Sequence, residues 1–156
     1  MERGLDHGAW SVLHQMYPLA FIPVIQISLD VSLAPEQRME MGRSLSPLRD
    51  EGILILGSGN VVHNLGLVDW GDEQAPAYAW AQTFDRWVAG CVESRNLEEL
   101  TQYRTVAPFS ELVVPTDEHY IPLLYIAGLC RPDDVLATVF EGFQNASLSM
   151  RCIQVG

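Results

Sequence analysis

The stretch Gly52-Ile53-Leu54-Ile55-Leu56-Gly57-Ser58-Gly59-Asn60-Val61-Val62-His63 decides the fold class. Ile53 to Leu56 form an unbroken apolar run bounded by glycines. It is too short for a helix, and it reads as a strand buried on both faces. Gly57-Ser58-Gly59-Asn60 then marks a turn at the strand's carboxyl end. Upstream, Ala34-Pro35-Glu36 opens a helix that runs to about Arg49, with proline in the first turn and an acid beside the positive helix end. Before that helix, Ile22-Pro23-Val24-Ile25-Gln26-Ile27-Ser28-Leu29 is rich in β-branched residues and reads as a second buried strand. Two such strands joined by a helix imply a βαβ crossover. The expected fold is therefore α/β, a mixed and partly parallel sheet with a βαβ core and helices on both faces. Residues 1–156 form a single domain in this reading.

The remaining chain fits around that core. Met1-Glu2-Arg3 leads into Gly4-Leu5-Asp6-His7-Gly8 with no strand before it, and Trp10, Leu13 and Tyr17 mark a short helix from Gly8 that Pro18 ends. A polar stretch from Gly66 to Pro76 precedes a long helix, about Ala77 to Ser94, whose apolar face carries Trp80, Phe84, Trp87, Val88 and Cys91. Spacing of this kind points to core packing rather than a ligand box. Asn96 is placed as the cap of a short helix, 105–115 as irregular, and Asp117 as the cap of a helix from Glu118 to Gly128. A brief turn of helix follows Pro132. Ser147 to Val155 alternates as a closing strand.

Composition narrows the function. Nine arginines and no lysine stand against 20 acidic residues, a net charge of -11. Such a chain repels phosphate backbones and anionic membranes, so neither nucleic acid nor membrane is an expected partner. No apolar run reaches the roughly 18 residues of a membrane helix, and no leader pattern is visible. Cys91, Cys130 and Cys152 match neither a zinc pattern nor an even disulfide framework. They read as reduced thiols of a cytoplasmic protein.

Ligands of open α/β sheets bind at the carboxyl ends of strands, which draws attention to Gly57-Ser58-Gly59-Asn60 and to His63 beyond it. The dinucleotide fingerprint would need glycine where Val62 stands, a phosphate loop would need a lysine, and the serine of Gly57-Ser58-Gly59 sits one position too early for a hydrolase elbow. The histidines remain. His14 lies mid-helix and reads as an ordinary helix residue. His7, His63 and His119 each sit where the chain reverses or a helix begins, and none of them has the spacing of a preformed metal site. Asn60 and Arg151 are the candidates for substrate contact. A cation inside an apolar strand needs a partner, and either an anionic substrate group or a structural carboxylate would serve Arg151.

With these residues in view, the chain resembles the class III extradiol ring-opening dioxygenases, in their DOPA-dioxygenase-like branch. The resemblance is carried by Gly4 to Trp10, Pro23 to Ser28, Gly52 to Leu65, Glu118-His119-Tyr120-Ile121-Pro122-Leu123 and Ser147 to Arg151. It implies an oxidoreductase that opens catechol-type rings with O2 and a non-haem divalent metal, Fe(II) in catalysis and Zn(II) in some structures. By the same resemblance, His7 is an acid/base and substrate-orienting residue. His63 is a catalytic base that also contacts the metal, and His119, or its neighbour Glu118, is the late metal ligand.

The family domain is longer, and its first half carries further metal histidines that no residue of this chain matches. The expectation is a C-terminal part of such a domain, lacking the N-terminal metal-ligand half, with its metal incompletely liganded and the chain inactive alone. A homodimer, or the missing half, would then cover its exposed edge. Two rivals stand beside this reading: a non-catalytic α/β interaction subunit, and a zinc-dependent hydrolase on the same scaffold.

Overall fold

A computed structural model provides the structure, which describes residues 4–156, so the reading of Met1–Arg3 lies outside the described residues. The chain divides into two compact units, one up to Asp30 and one from Val31 to Gly156.

In the first unit, Asp6 caps helix α1 (His7–Met16) by accepting the Ala9 N–H at 2.9 Å. The C-cap Tyr17 N–H returns to the Leu13 carbonyl, and Pro18 follows. The segment 23–30 forms neither helix nor strand ladder. The Gln26 side chain accepts the Asp6 N–H at 2.9 Å, which fixes this segment to the start of α1.

The second unit is mainly helical. Helix α2 (Pro35–Leu45) passes into a 3-10 turn, Ser46–Glu51, and Gly52 closes it in the left-handed region. Helices α3 (Ala79–Glu93), α4 (Tyr103–Val106), α5 (Ser110–Val113) and α6 (Ile121–Gly128) follow, so the region expected to be irregular contains two single helical turns. The expected helix from Glu118 is interrupted: a 3-10 turn, Asp117–His119, ends at Tyr120 before α6 begins. Helices α2 and α6 meet backbone to backbone. A Cβ at Gly42 would lie 2.1 Å from the Tyr125 carbonyl oxygen, and one at Gly128 would lie 2.0 Å from that of Met39. Phe84 and Val88 of α3 join Val62, Leu100, Tyr103, Val113, Tyr120 and Leu124 in one core. Each fully buried large apolar side chain contributes about 1.5–3 kcal/mol.

The chain ends in strands β1 (Leu136–Phe140), β2 (Phe143–Gln144), β3 (Leu148–Ser149) and β4 (Cys152–Val155). β1 pairs with β4 and β2 with β3, both antiparallel. The fold is thus a mixture of helices and small sheets, and the described ladders contain no parallel pair. The expected partly parallel βαβ core is therefore corrected: neither 22–29 nor 53–56 belongs to a ladder. The physical reason is that a strand buried on both faces needs strands to pair with and layers packed over each face, neither of which propensity alone can supply. Ile25 is 91% exposed and Leu54 64%. Among the described residues, no helix is long and apolar enough to cross a membrane.

Candidate metal and catalytic centre

The site grows from the turn after Leu56. Val61 and Val62 bury their side chains in the core and leave His63 half-buried at its rim. The His63 N–H donates to the Val113 carbonyl at 3.1 Å, and His63 forms an isolated antiparallel bridge with Leu148. On one side the Ser149 N–H donates to the Val62 carbonyl, and on the other the Asn64 side-chain amide donates to that of Leu112. His63 is therefore clamped between β3 and the end of α5.

His119 ends the 3-10 turn before α6. Its carbonyl accepts the Asn60 N–H at 3.0 Å, and a Cβ at Gly59 would lie only 2.2 Å from that oxygen. A Cβ at Gly57 would press within 2.8 Å of Ile126 Cγ1. Neither glycine adopts a positive φ. They serve close approach, and what approaches is the protein's own turn and helix.

This approach brings the imidazoles of His63 and His119 together, stacked with centroids 3.5 Å apart and planes 14° from parallel. Burial lowers the pKa of both rings from the ordinary 6.5, and the neighbouring His119 lowers that of His63 further. Both rings are thus biased to the neutral form that binds metals or accepts protons. The His119 Nδ1 atom is buried and has no hydrogen-bond partner, which leaves a donor position of the kind a metal would satisfy. Glu118 is exposed and accepts the Thr116 hydroxyl at 2.8 Å. Among the described residues, no group of three His, Cys, Asp or Glu side chains could hold a metal ion. The pair fits part of a shell only. In-plane lone pairs of nearly parallel rings do not converge on one ion at the usual ~2.0–2.1 Å without a ring rotating.

The other predicted residues fall as follows. His7 opens α1 in the first unit, is exposed, and meets Trp10 edge-on at 5.4 Å. Asn60 gives its side-chain amide to the Ser149 carbonyl at 2.8 Å. Arg151 pairs with Asp85 of α3: Nη2 lies 2.6 Å from Oδ2 and Nε 3.0 Å from Oδ1, and Glu141 and Thr138 take further bonds. A carboxylate of the chain itself thus partners the cation, one of the two alternatives the sequence left open.

Three residues around the site were missed by sequence reasoning: Asp85, Asp117 and Ser149. Asp85 lies on the buried stripe of α3 with Ala81, Val88 and Val92. An acid on an apolar stripe needs a cation, and Arg151 in an apolar strand needs an anion, so matching the two would have found the pair. Asp117 was read as a helix cap. Instead its carboxylate takes the Tyr103 hydroxyl at 2.7 Å and ion pairs from Arg104 and Arg38, and these anchor the turn that carries His119.

Comparison with known proteins places the whole chain among relatives. The chain is 42% identical to the 4,5-DOPA dioxygenase extradiol of Escherichia coli K12, over 98% of this chain and 57% of that protein. It is 43% identical to the protein of the same name from Beta vulgaris, over 81% of this chain and 47% of that one. The crystal structure of an uncharacterized Escherichia coli K12 protein, JW3007, matches 99% of this chain and 64% of its own with a TM-score of 0.90 at 41% identity. The chain therefore spans about half the length of the curated relatives it matches. Residues 1–149 match the family described as the catalytic LigB subunit of aromatic ring-opening dioxygenase, and the chain belongs to that family.

Proposed function

We propose that this chain supplies His63 and His119 to the centre of an extradiol dioxygenase that opens a catechol-type ring with O2. The observation that carries the reading is the stacked imidazole pair with its buried, unpartnered His119 Nδ1. When bound, a non-haem divalent metal, Fe(II) or Zn(II), supplies Lewis acidity and, with iron, the redox chemistry of ring opening. The nearly parallel rings favour a division of labour, in which His119 is the ligand and His63 is the base that takes the diol proton on a ring nitrogen. The depressed basicity of His63 keeps that nitrogen free at neutral pH. His7 is assigned acid/base and substrate-orienting duty. Asn60 and Arg151 act on the substrate indirectly, by holding the segment around Ser149, since their donors are engaged with Ser149 and Asp85.

The same proposal makes the chain the C-terminal part of a longer domain, whose other part completes the metal shell and gives strand partners to 53–56. The relatives' greater length supports this. Three free cysteines suit a cytoplasmic setting. The test is anaerobic Fe(II) loading of the chain joined to the part that completes its metal shell, followed by a catechol and O2. Catechol-dependent O2 uptake with a yellow ring-opened product is expected. Absence of uptake after stoichiometric iron binding would overturn the reading.

A second reading is favoured by one observation, the exposed apolar side chains Ile53, Leu54 and Leu56. It makes the chain a non-catalytic interaction subunit or a homodimer covering this run. A tight dimer on sizing that binds no metal and shows no turnover would select it.

A further inference from the structure

Two buried charges lie beside the histidine pair rather than in it. The Asp85 and Arg151 side chains are 6% and 4% exposed. Ion pairs buried this deeply cost desolvation that the attraction barely repays, so they are weak devices for stability alone. This pair has a further connection. Asp85 Oδ1 accepts the Ser149 hydroxyl at 2.6 Å, and that hydroxyl oxygen accepts the Arg151 backbone N–H at 3.2 Å. Ser149 is 1% exposed. Its own N–H donates to the Val62 carbonyl at 3.1 Å, its carbonyl accepts the Asn60 amide at 2.8 Å, and its neighbour Leu148 bridges His63. Asn60, Val62 and His63 are thus set against β3 through its two residues, Leu148 and Ser149, and Asp85 holds Ser149.

We propose that Asp85 is a positioning residue for His63, acting through Ser149 and Arg151 to hold the imidazole in its stack on His119. The inference rests on the assignment of His63 to chemistry, but its test does not depend on metal or turnover. Stacked rings shield each other's protons, so the Hε1 resonances of His63 and His119 lie upfield of those of an unstacked ring. In the full chain, Asp85→Asn keeps the shape of the side chain and removes its charge. The expected result is a folded protein in which the His63 and His119 resonances move downfield or broaden while that of His14 stays in place. Ser149→Ala, which removes only the connecting hydroxyl, is expected to give the same change if Asp85→Asn does not fold. Unchanged His63 and His119 resonances in either folded variant would overturn the proposal. Shifted resonances, together with no ring opening once the metal shell is complete and iron is bound, would leave the positioning role standing and refute the catalytic reading alone.

Discussion

Gly59 has no room for a side chain, because a Cβ there would lie 2.2 Å from the backbone oxygen of His119. The obstacle is main chain, which cannot swing aside as a side chain can. Gly59→Ala must push the Asp117–His119 turn away and stretch the bond from the Asn60 N–H. A loss of roughly 1–3 kcal/mol is expected, the usual cost of overpacking. It should come with loss of the histidine stack, read as the ring-proton shifts described above. Gly90→Ala is the control: it lies in α3 with nothing within 4 Å, and it should stabilise by about 0.5–1 kcal/mol. Equal melting temperatures for the two variants would count against the close approach.

With the metal shell complete, His63→Ala should reduce catechol-dependent O2 uptake by about 10²–10⁴-fold, the range for removing a general base. It should leave the fold intact, because the backbone bonds of His63 do not use its ring. His14 is exposed on α1, and His14→Ala should keep wild-type turnover. Equal loss from both substitutions would refute the role given to His63.

Acid should weaken one identifiable link. Arg49 Nη1 and Nη2 each lie 2.7 Å from a carboxylate oxygen of Asp134, and the Arg131 N–H adds a third bond at 2.6 Å. The hydrogen bonds from Arg49, the largest cause, hold the carboxyl at about 2 against an ordinary 3.8. The folded value lies below the unfolded one, so between them the unfolded chain binds more protons. The stabilisation is complete above the ordinary value and is lost as pH falls towards about 2. Urea midpoints should therefore fall between roughly pH 4 and pH 2 in the wild type and fall less in Asp134→Asn, which starts lower at neutral pH. Parallel acid limbs for the two proteins would contradict this.

The longer helices α1 to α3 were legible because their signals are local. The stripe of α3 and the Pro35 start of α2 need only a few turns of chain to be recognised. The chain reversals at His63 and His119 were legible as well, but their stacking was not. It depends on Gly59 admitting the His119 carbonyl and on Asp117 anchoring its turn, and both are contacts between distant segments. The two apolar runs failed as paired strands for the complementary reason. Ile25 and Leu54 have strand-forming neighbours in sequence and no strand beside them to bury their side chains.

That exposure leads to a last prediction. Leu54 is 64% exposed, with Ile53 at 46% and Leu56 at 39%, on a segment whose backbone pairs with no strand. Unpaired apolar edges promote association with other chains, and a charge placed on them blunts it. Leu54→Lys should lower the self-association constant measured by sedimentation. The folding free energy should change by no more than about 0.5 kcal/mol, as for an ordinary surface substitution. A loss of several kcal/mol instead would mean that Leu54 is buried within the folded chain. Unchanged association in a stable variant would mean that copies of the chain meet elsewhere, and it would remove the main support for the interaction-subunit reading.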